Sequence, residues 1–216
     1  MHFEVFVEDK SGEVLLDVLV PRIIGEGHTH RLISYKGIGH LPKNMVSAVD
    51  ARHRVLLDRL PDLIRGYAAT LRDGTLDWAL IVVCDLDSRC LSAFRRELLD
   101  VVARQPMHVP KINFCIAVEE MEAWLLGDPQ AVQRAYPKAK LRVLNDYVPD
   151  SIIGTWEKMA DVVYAGGCAA LRKKGSPEIG RMKSEWARNI APHIDIEANQ
   201  SPSFRYFCGK LCALAM

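Results

Sequence analysis

The sequence predicts an α/β protein: a mostly parallel sheet flanked by helices, followed by a helical C-terminal extension. Three observations predict it. Ala79-Leu80-Ile81-Val82-Val83-Cys84 is an unbroken apolar run that stops at Asp85-Leu86-Asp87. Such a run, rich in β-branched residues and too short for a buried helix, reads as a central strand covered on both faces. Strand-like and helix-like segments alternate as far as residue 126, the pattern of parallel βαβ units. The alternation then stops, and residues 130–216 carry helical patterns and loops. The chain therefore divides into an α/β core over 1–128 and a helical extension over 129–216 packed on it.

Residues 2–8 alternate, with Phe3, Val5 and Val7 opposite His2, Glu4, Phe6 and Glu8. That is a strand with Glu8 at its carboxyl end. Asp9-Lys10-Ser11-Gly12 is a turn in which Ser11 can cap a helix over 12–24, buried through Val14, Leu15, Val18 and Leu19. Pro21 either kinks this helix or begins its final turn. A second strand covers 29–36, and Gly37-Ile38-Gly39-His40-Leu41-Pro42 is a loop. A helix over 46–71 is expected to be interrupted at Leu60-Pro61, because proline disfavours helical geometry in the residue before it. Arg72-Asp73-Gly74 ends it.

The apolar strand covers 77–84, and Ser88 caps a helix over 89–104. A further strand over 111–118 runs directly into a short helix over 119–126, closed by Gly127-Asp128-Pro129. In the extension, helices are expected at 130–136, 155–164, 177–190 and 204–215, the last capped by Ser201 or Ser203.

With 216 residues, 49% apolar and 25% charged, the chain can bury a substantial core. Its apolar runs fall short of the ~20 residues a membrane helix needs. The acid-bearing start lacks the basic and apolar regions of a signal peptide. Six cysteines, at 84, 90, 115, 168, 208 and 212 and without Cys-x-x-Cys spacing, read as reduced thiols of a cytoplasmic protein. The net charge of +1 announces no nucleic-acid binder, but its distribution is uneven: −4 over 1–133 and +5 over 134–216. An acidic half joined to a mildly basic one suits a metal site beside a surface that meets phosphate.

Three acidic groups lie at or just past the carboxyl end of a predicted strand: Glu8, the Asp85/Asp87 pair, and the Glu119/Glu120/Glu122 cluster. If the strands are parallel, these ends share one edge, where open α/β sheets hold their ligands. Carboxylates that converge without compensating charge raise one another's pKa and cost stability, so the arrangement points to Mg²⁺ or Mn²⁺. Glu120 or Asp9 taken alone reads as an ordinary helix N-terminal acid, whereas Asp85 with Asp87 reads as a ligand pair. Glu119 and Glu122, three apart on the predicted helix, share a face, and Glu120 is expected to be solvated. Lys10 and Arg89, each close behind a candidate acid, are candidate phosphate contacts, as are Lys173 and Lys174. Lys36, Lys43, Arg172, Arg181 and Lys183 are further basic candidates. His28 and His30 alternate on a strand edge and read as surface histidines. Nucleophile-elbow, P-loop and His-Glu-x-x-His motifs are absent from the sequence.

A glutamate after the first strand, Val7-Glu8, followed far downstream by Asp85-Leu86-Asp87, resembles the Toprim domain of topoisomerases, bacterial primases and overcoming-lysogenization-defect nucleases. More specifically, the chain resembles a Toprim-related family of uncharacterised proteins, domain of unknown function 4276. The resemblance runs through Val7-Glu8-Asp9-Lys10-Ser11, Lys36-Gly37-Ile38-Gly39 with Leu41-Pro42, and Val83-Cys84-Asp85-Leu86-Asp87. It continues in Ile116-Ala117-Val118-Glu119-Glu120-Met121-Glu122-Ala123-Trp124-Leu125-Leu126 and Ser201-Pro202-Ser203-Phe204-Arg205.

The resemblance implies a Toprim fold, Mg²⁺ or Mn²⁺ as cofactor, and phosphodiester chemistry on DNA or RNA, often in phage defence. By position Glu8 would be a metal ligand or general acid/base, Asp85 and Asp87 catalytic metal ligands, and Glu119 or Glu122 a further ligand. The chain departs from the usual Glu-Gly with an acid four residues on: Asp9 replaces the glycine, Gly12 stands fourth and Glu13 fifth. The expected function is a divalent-metal-dependent phosphodiesterase or nuclease, acting as a homodimer or an accessory defence protein. The alternatives are a non-catalytic Toprim-like sensor or protein-binding module, and hydrolysis of small phosphoesters.

Overall fold

The computed structural model describes residues 1–42, 55–71, 77–105, 111–151 and 153–216. The α/β core opens with β1 (His2–Val7), α1 (Lys10–Ile24), β2 (Thr29–Ser34) and α2 (Leu56–Thr70). It continues through β3 (Trp78–Asp85), α3 (Leu91–Ala103), β4 (Ile112–Ala117) and the short α4 (Glu122–Leu126). The strands form one sheet of order β2-β1-β3-β4, and each neighbouring pair is parallel. In register, Val7 pairs with Val83 and Asp85 with Ala117, so Glu8, Asp85 and the residues after β4 emerge at one edge.

The extension comprises α5 (Pro129–Ala135), α6 (Leu141–Asn145), α7 (Thr155–Val163), α8 (Gly167–Arg172), α9 (Ser176–Ile190) and α10 (Pro202–Ala215), with a 3₁₀ turn at Ala191–His193.

Each sheet face has its own core. Phe3, Val5, Val7, Ala79, Ile81, Val83, Cys115 and Ala117 belong to a cluster that includes α1 and runs on through Trp124, Trp186, Phe204 and Phe207 of the later helices. Phe6, Leu80, Val82, Cys84, Phe114 and Ile116 meet α2 and α3 through Leu60, Ile64, Phe94 and Leu98. Trp124 joins sheet to extension. Its ring stacks on Phe207 at 4.9 Å, and its Nε1 donates to Ser203 Oγ at 2.9 Å.

Several local expectations are corrected. Asp9, not Ser11, caps α1: its carboxylate accepts from the Gly12 N–H at 2.7 Å, and the Ser11 hydroxyl donates to that same carboxylate. The buried face of α1 is Leu15, Leu16, Leu19, Val20, Ile23 and Ile24, while Val14 and Val18 are only partly covered. Packing against both the sheet and α9 rotates the helix beyond the stripe that periodicity suggests. α2 runs unbroken through Pro61. Pro61 lies early in the helix, and burial of Leu57, Leu60, Ile64 and Ala68 outweighs the one lost N–H bond. The expected helical stretch 46–54, the stop at Arg72-Asp73-Gly74 and Lys43 lie outside the described residues.

α3 starts at Leu91 behind Cys90, with no side-chain cap. Ser88 does not cap it, because residues before it form a turn in which the Arg89 N–H donates to Leu86 O at 3.2 Å. The helix expected from 119 starts at Glu122, since Glu119 is in the left-handed region at φ 62°. Ser201 caps α10 by accepting from the Phe204 N–H at 3.2 Å. α6 and α8 are too short to show a periodic stripe, and sequence reasoning did not find them. All six cysteines are free thiols. Among the described residues, no helix is long and apolar enough to cross a membrane.

Candidate acidic site at the carboxyl edge of the sheet

β1 and β3 are hydrogen-bonded neighbours, so the first acids past them meet. Glu8 Oε2 accepts the Asp85 backbone N–H at 3.1 Å. Asp85 is only 6% exposed, and its Oδ1 is buried with no hydrogen-bond partner. Burial first, and then the Glu8 charge, push the Asp85 carboxyl well above the usual carboxylate range, against the pull of Lys183. Burial also pushes Glu8 up to about 7; the bond from Asp85 opposes this, and the Asp87 and Asp9 charges assist it.

The turn after β4 supplies the other half. Glu122, the first residue of α4, is 2% exposed, and burial raises its carboxyl while Lys183 opposes the rise. Glu120 is pushed up to about 8, mainly by burial and next by Glu122.

Lys183 comes from α9, which packs along α1. Its neighbours Met182, Trp186 and Ile190 form the buried stripe of that helix, so the lysine stem runs inward beside them. Its Nζ lies 3.1 Å from Glu122 Oε2 and 3.4 Å from Glu120 Oε1. Glu120 Oε2 is buried with no hydrogen-bond donor. Burial pulls the ammonium down, but Glu122, Glu120, Asp85 and Asp9 outweigh it and hold its pKa well above the ordinary lysine value. At the start of α1, a Cβ on Gly12 would lie 2.6 Å from Val7 Cγ2 and 3.3 Å from Asp9 Oδ1. Glycine there lets the helix begin tight against the end of β1.

The remaining candidates are placed differently. Asp87 sits in the left-handed region at φ 51°; its carboxylate is about half exposed and 3.9 Å from Arg89. Glu119 is buried, but its Oε2 accepts from the N–H and hydroxyl of Thr155 at 2.6 and 2.5 Å. It therefore ties α7 to the sheet edge. The face that Glu119 and Glu122 were expected to share does not form, because α4 begins only at Glu122. Glu120, expected to be solvated, instead lies beside Lys183.

Among the basic candidates, Lys10 is exposed and paired with Glu13 at 2.9 Å. Arg89 lies over the Phe94 ring at 4.7 Å, with its Nη1 buried and unpartnered. Lys173 and Lys174 are exposed just beyond α8. Arg172 bonds Glu157, and Arg181 bonds Glu178 and Glu185. His28 packs edge-on to Phe3.

The donor chemistry suits a hard divalent ion: buried carboxylate oxygens, one of them orphaned on Asp85. As the side chains stand, no three carboxylate, histidine or cysteine groups among the described residues are close enough together to hold an ion. The positive charge at the cluster is the Lys183 ammonium. In the sequence Lys183 is one of several basic candidates, and Asp9 reads as an ordinary acid at a helix N-terminus, which its place as the cap of α1 bears out. The signal that could have singled out Lys183 is a lone lysine flanking the Met182/Trp186/Ile190 stripe.

Fold and site together define a parallel α/β protein with a buried cluster of acids and one lysine at the carboxyl edge of its sheet. The chain belongs to the family described as Domain of unknown function (DUF4276), whose model matches residues 7–212. No curated protein and no solved structure matches the chain.

Proposed function

We propose that the chain is a divalent-metal-dependent phosphodiesterase of Toprim type that acts on nucleic acid. The observation that carries this reading is Asp85, a buried carboxylate with an orphaned oxygen and a second carboxylate, Glu8, beside it. An unpaired polar group in the interior costs about 1–3 kcal/mol, and sites of function are where such costs are kept. Glu8, Asp85 and Glu122 would hold Mg²⁺ or Mn²⁺, with Asp87 at the exposed rim. The bound ion would polarise a phosphoryl oxygen and lower the pKa of a water.

The chain's own residues have distinct parts in this scheme. Glu8 Oε2 is engaged by the Asp85 N–H, which leaves Oε1 as the atom that would reach the ion. Arg89, held over Phe94 and 3.9 Å from the half-exposed Asp87, would meet a phosphate oxygen only through the part of its guanidinium that is not buried. The Val7-Glu8 and Asp85-Leu86-Asp87 pattern supports the Toprim relationship, and with it a cytoplasmic role in phage defence.

A second reading, a non-catalytic sensor or protein-binding module, is favoured by Lys183, whose ammonium already neutralises part of the cluster. One experiment separates the two. Purified protein with Mn²⁺ or Mg²⁺ is incubated with single-stranded DNA, duplex DNA, RNA and small phosphoesters, beside Asp85→Asn. Cleavage by the wild type alone is expected. Intact substrates in every lane would sink the phosphodiesterase reading. Metal binding without cleavage would favour the module.

A further inference from the structure

We propose that Lys183 is the built-in counter-cation of the acidic site, and that a divalent ion enters by displacing its ammonium from Glu122 and Glu120. The inference rests on the metal-dependent reading above. Acids face Lys183 from several segments: Glu120 from the turn after β4, Glu122 from the first turn of α4, Asp85 from the end of β3, and Glu8 and Asp9 from the link between β1 and α1.

Two observations at the cluster point to a cation larger in charge than one ammonium. Asp85 Oδ1 is buried and unpartnered. Among the described residues the ammonium pairs with Glu122 and Glu120, at 3.1 and 3.4 Å, and not with Asp85.

A lysine head is a single charge on a flexible four-carbon stem. It can lower the repulsion in the empty cluster and then swing aside, which a fixed dipole could not do. Ammonium and divalent ion compete for the same oxygens, so Lys183 stabilises the metal-free protein and weakens metal binding. Because the lysine belongs to α9, occupancy of the site is coupled to the helical extension.

The test is a calorimetric titration with MnCl₂ of the wild type, Lys183→Met, Lys183→Arg and the exposed control Lys174→Met. Lys183→Met, of similar length and uncharged, is expected to bind Mn²⁺ about tenfold tighter or more, since a positive charge a few ångströms from the ion is removed. Lys183→Arg should bind no tighter than wild type, and Lys174→Met should match it.

A second measurement needs no variant at position 183. Native wild-type protein is labelled with an amine-reactive acetylating reagent, with and without Mn²⁺, and the sites are read by mass spectrometry. Modification of Lys183 should rise at least severalfold with Mn²⁺ while that of Lys174 stays constant. Equal or weaker Mn²⁺ binding by a folded Lys183→Met overturns the inference and leaves the metal reading standing. Unchanged labelling at saturating Mn²⁺ does the same. Absence of Mn²⁺ binding in the wild type and in every variant overturns both.

Discussion

Glu4, midway along β1, and Asp85, at the end of β3, are both almost wholly buried, at 1% and 6% exposure. Glu4 is surrounded by donors. Its Oε1 meets Arg31 Nη2 at 2.9 Å and His2 Nε2 at 3.2 Å; its Oε2 accepts from Arg31 Nε at 3.1 Å and the Tyr67 hydroxyl at 3.0 Å. Asp85 has another carboxylate beside it and an oxygen with nothing to accept. Both acids lie in one sheet, on adjacent strands. Burial of an acid therefore does not by itself mark a site. What distinguishes the two is whether the chain supplies partners for the oxygens it removes from water.

The largest expected effect falls on the unsatisfied member. Asp85→Asn should lower Mn²⁺-dependent cleavage by about 100-fold or more, since even outer-shell changes at metal sites cost 10–100-fold. Its melting temperature should stay level or rise, because no hydrogen bond to the orphaned Oδ1 is lost; a marked loss of stability would place Asp85 with Glu4 instead. Glu4→Gln should behave oppositely. Urea unfolding should report a loss of about 2 kcal/mol from the mispaired donors, kept below the cost of breaking a fully buried pair because Arg31 is more than half exposed. Its Mn²⁺ affinity should equal that of wild type.

The comparison also sets a pH dependence. In the folded state Glu8 is raised from 4.5 to about 7 and Glu120 from 4.5 to about 8. Between those values the native protein binds more protons than the unfolded chain, so stability falls as pH rises. The contribution is complete below about 4.5 and lost by about 8. Metal-free protein should therefore melt at a lower temperature at pH 8 than at pH 5, and Mn²⁺ should flatten the profile. Glu4→Gln should retain the slope, and a flat metal-free profile would break the argument.

The smallest effect tests Glu119, which shares the edge with Asp85 but the satisfied surroundings of Glu4. Thr155→Val removes one of its donors and should cost about 1 kcal/mol in urea unfolding. Mn²⁺ affinity should not change. A clear drop in affinity would return Glu119 to the ligand set.

The strands, and the acids behind them, could be read from the chain itself. Six apolar residues before Asp85, and the alternation over 2–8, report how one segment divides its side chains between core and solvent. That division is local, so Glu8 and Asp85 could be named from their positions alone, whereas Glu122 is one of three acids after β4, favoured only through a face shared with Glu119 that does not form. Capping was less legible, because Asp9 and Ser11 are both competent caps, and Asp9 takes the role only because the helix begins at Lys10, with Ser11 already inside it.

The tertiary structure alone decided the company each acid keeps. The order β2-β1-β3-β4 makes Glu8 and Asp85 neighbours. The left-handed backbone at Glu119 sends its carboxylate to Thr155, and the packing of α9 on α1 brings Lys183 to Glu120 and Glu122. Periodicity records whether a residue is buried; it does not record how a helix is rotated against a distant partner. That rotation decides whether a buried charge finds a donor, another acid, or nothing.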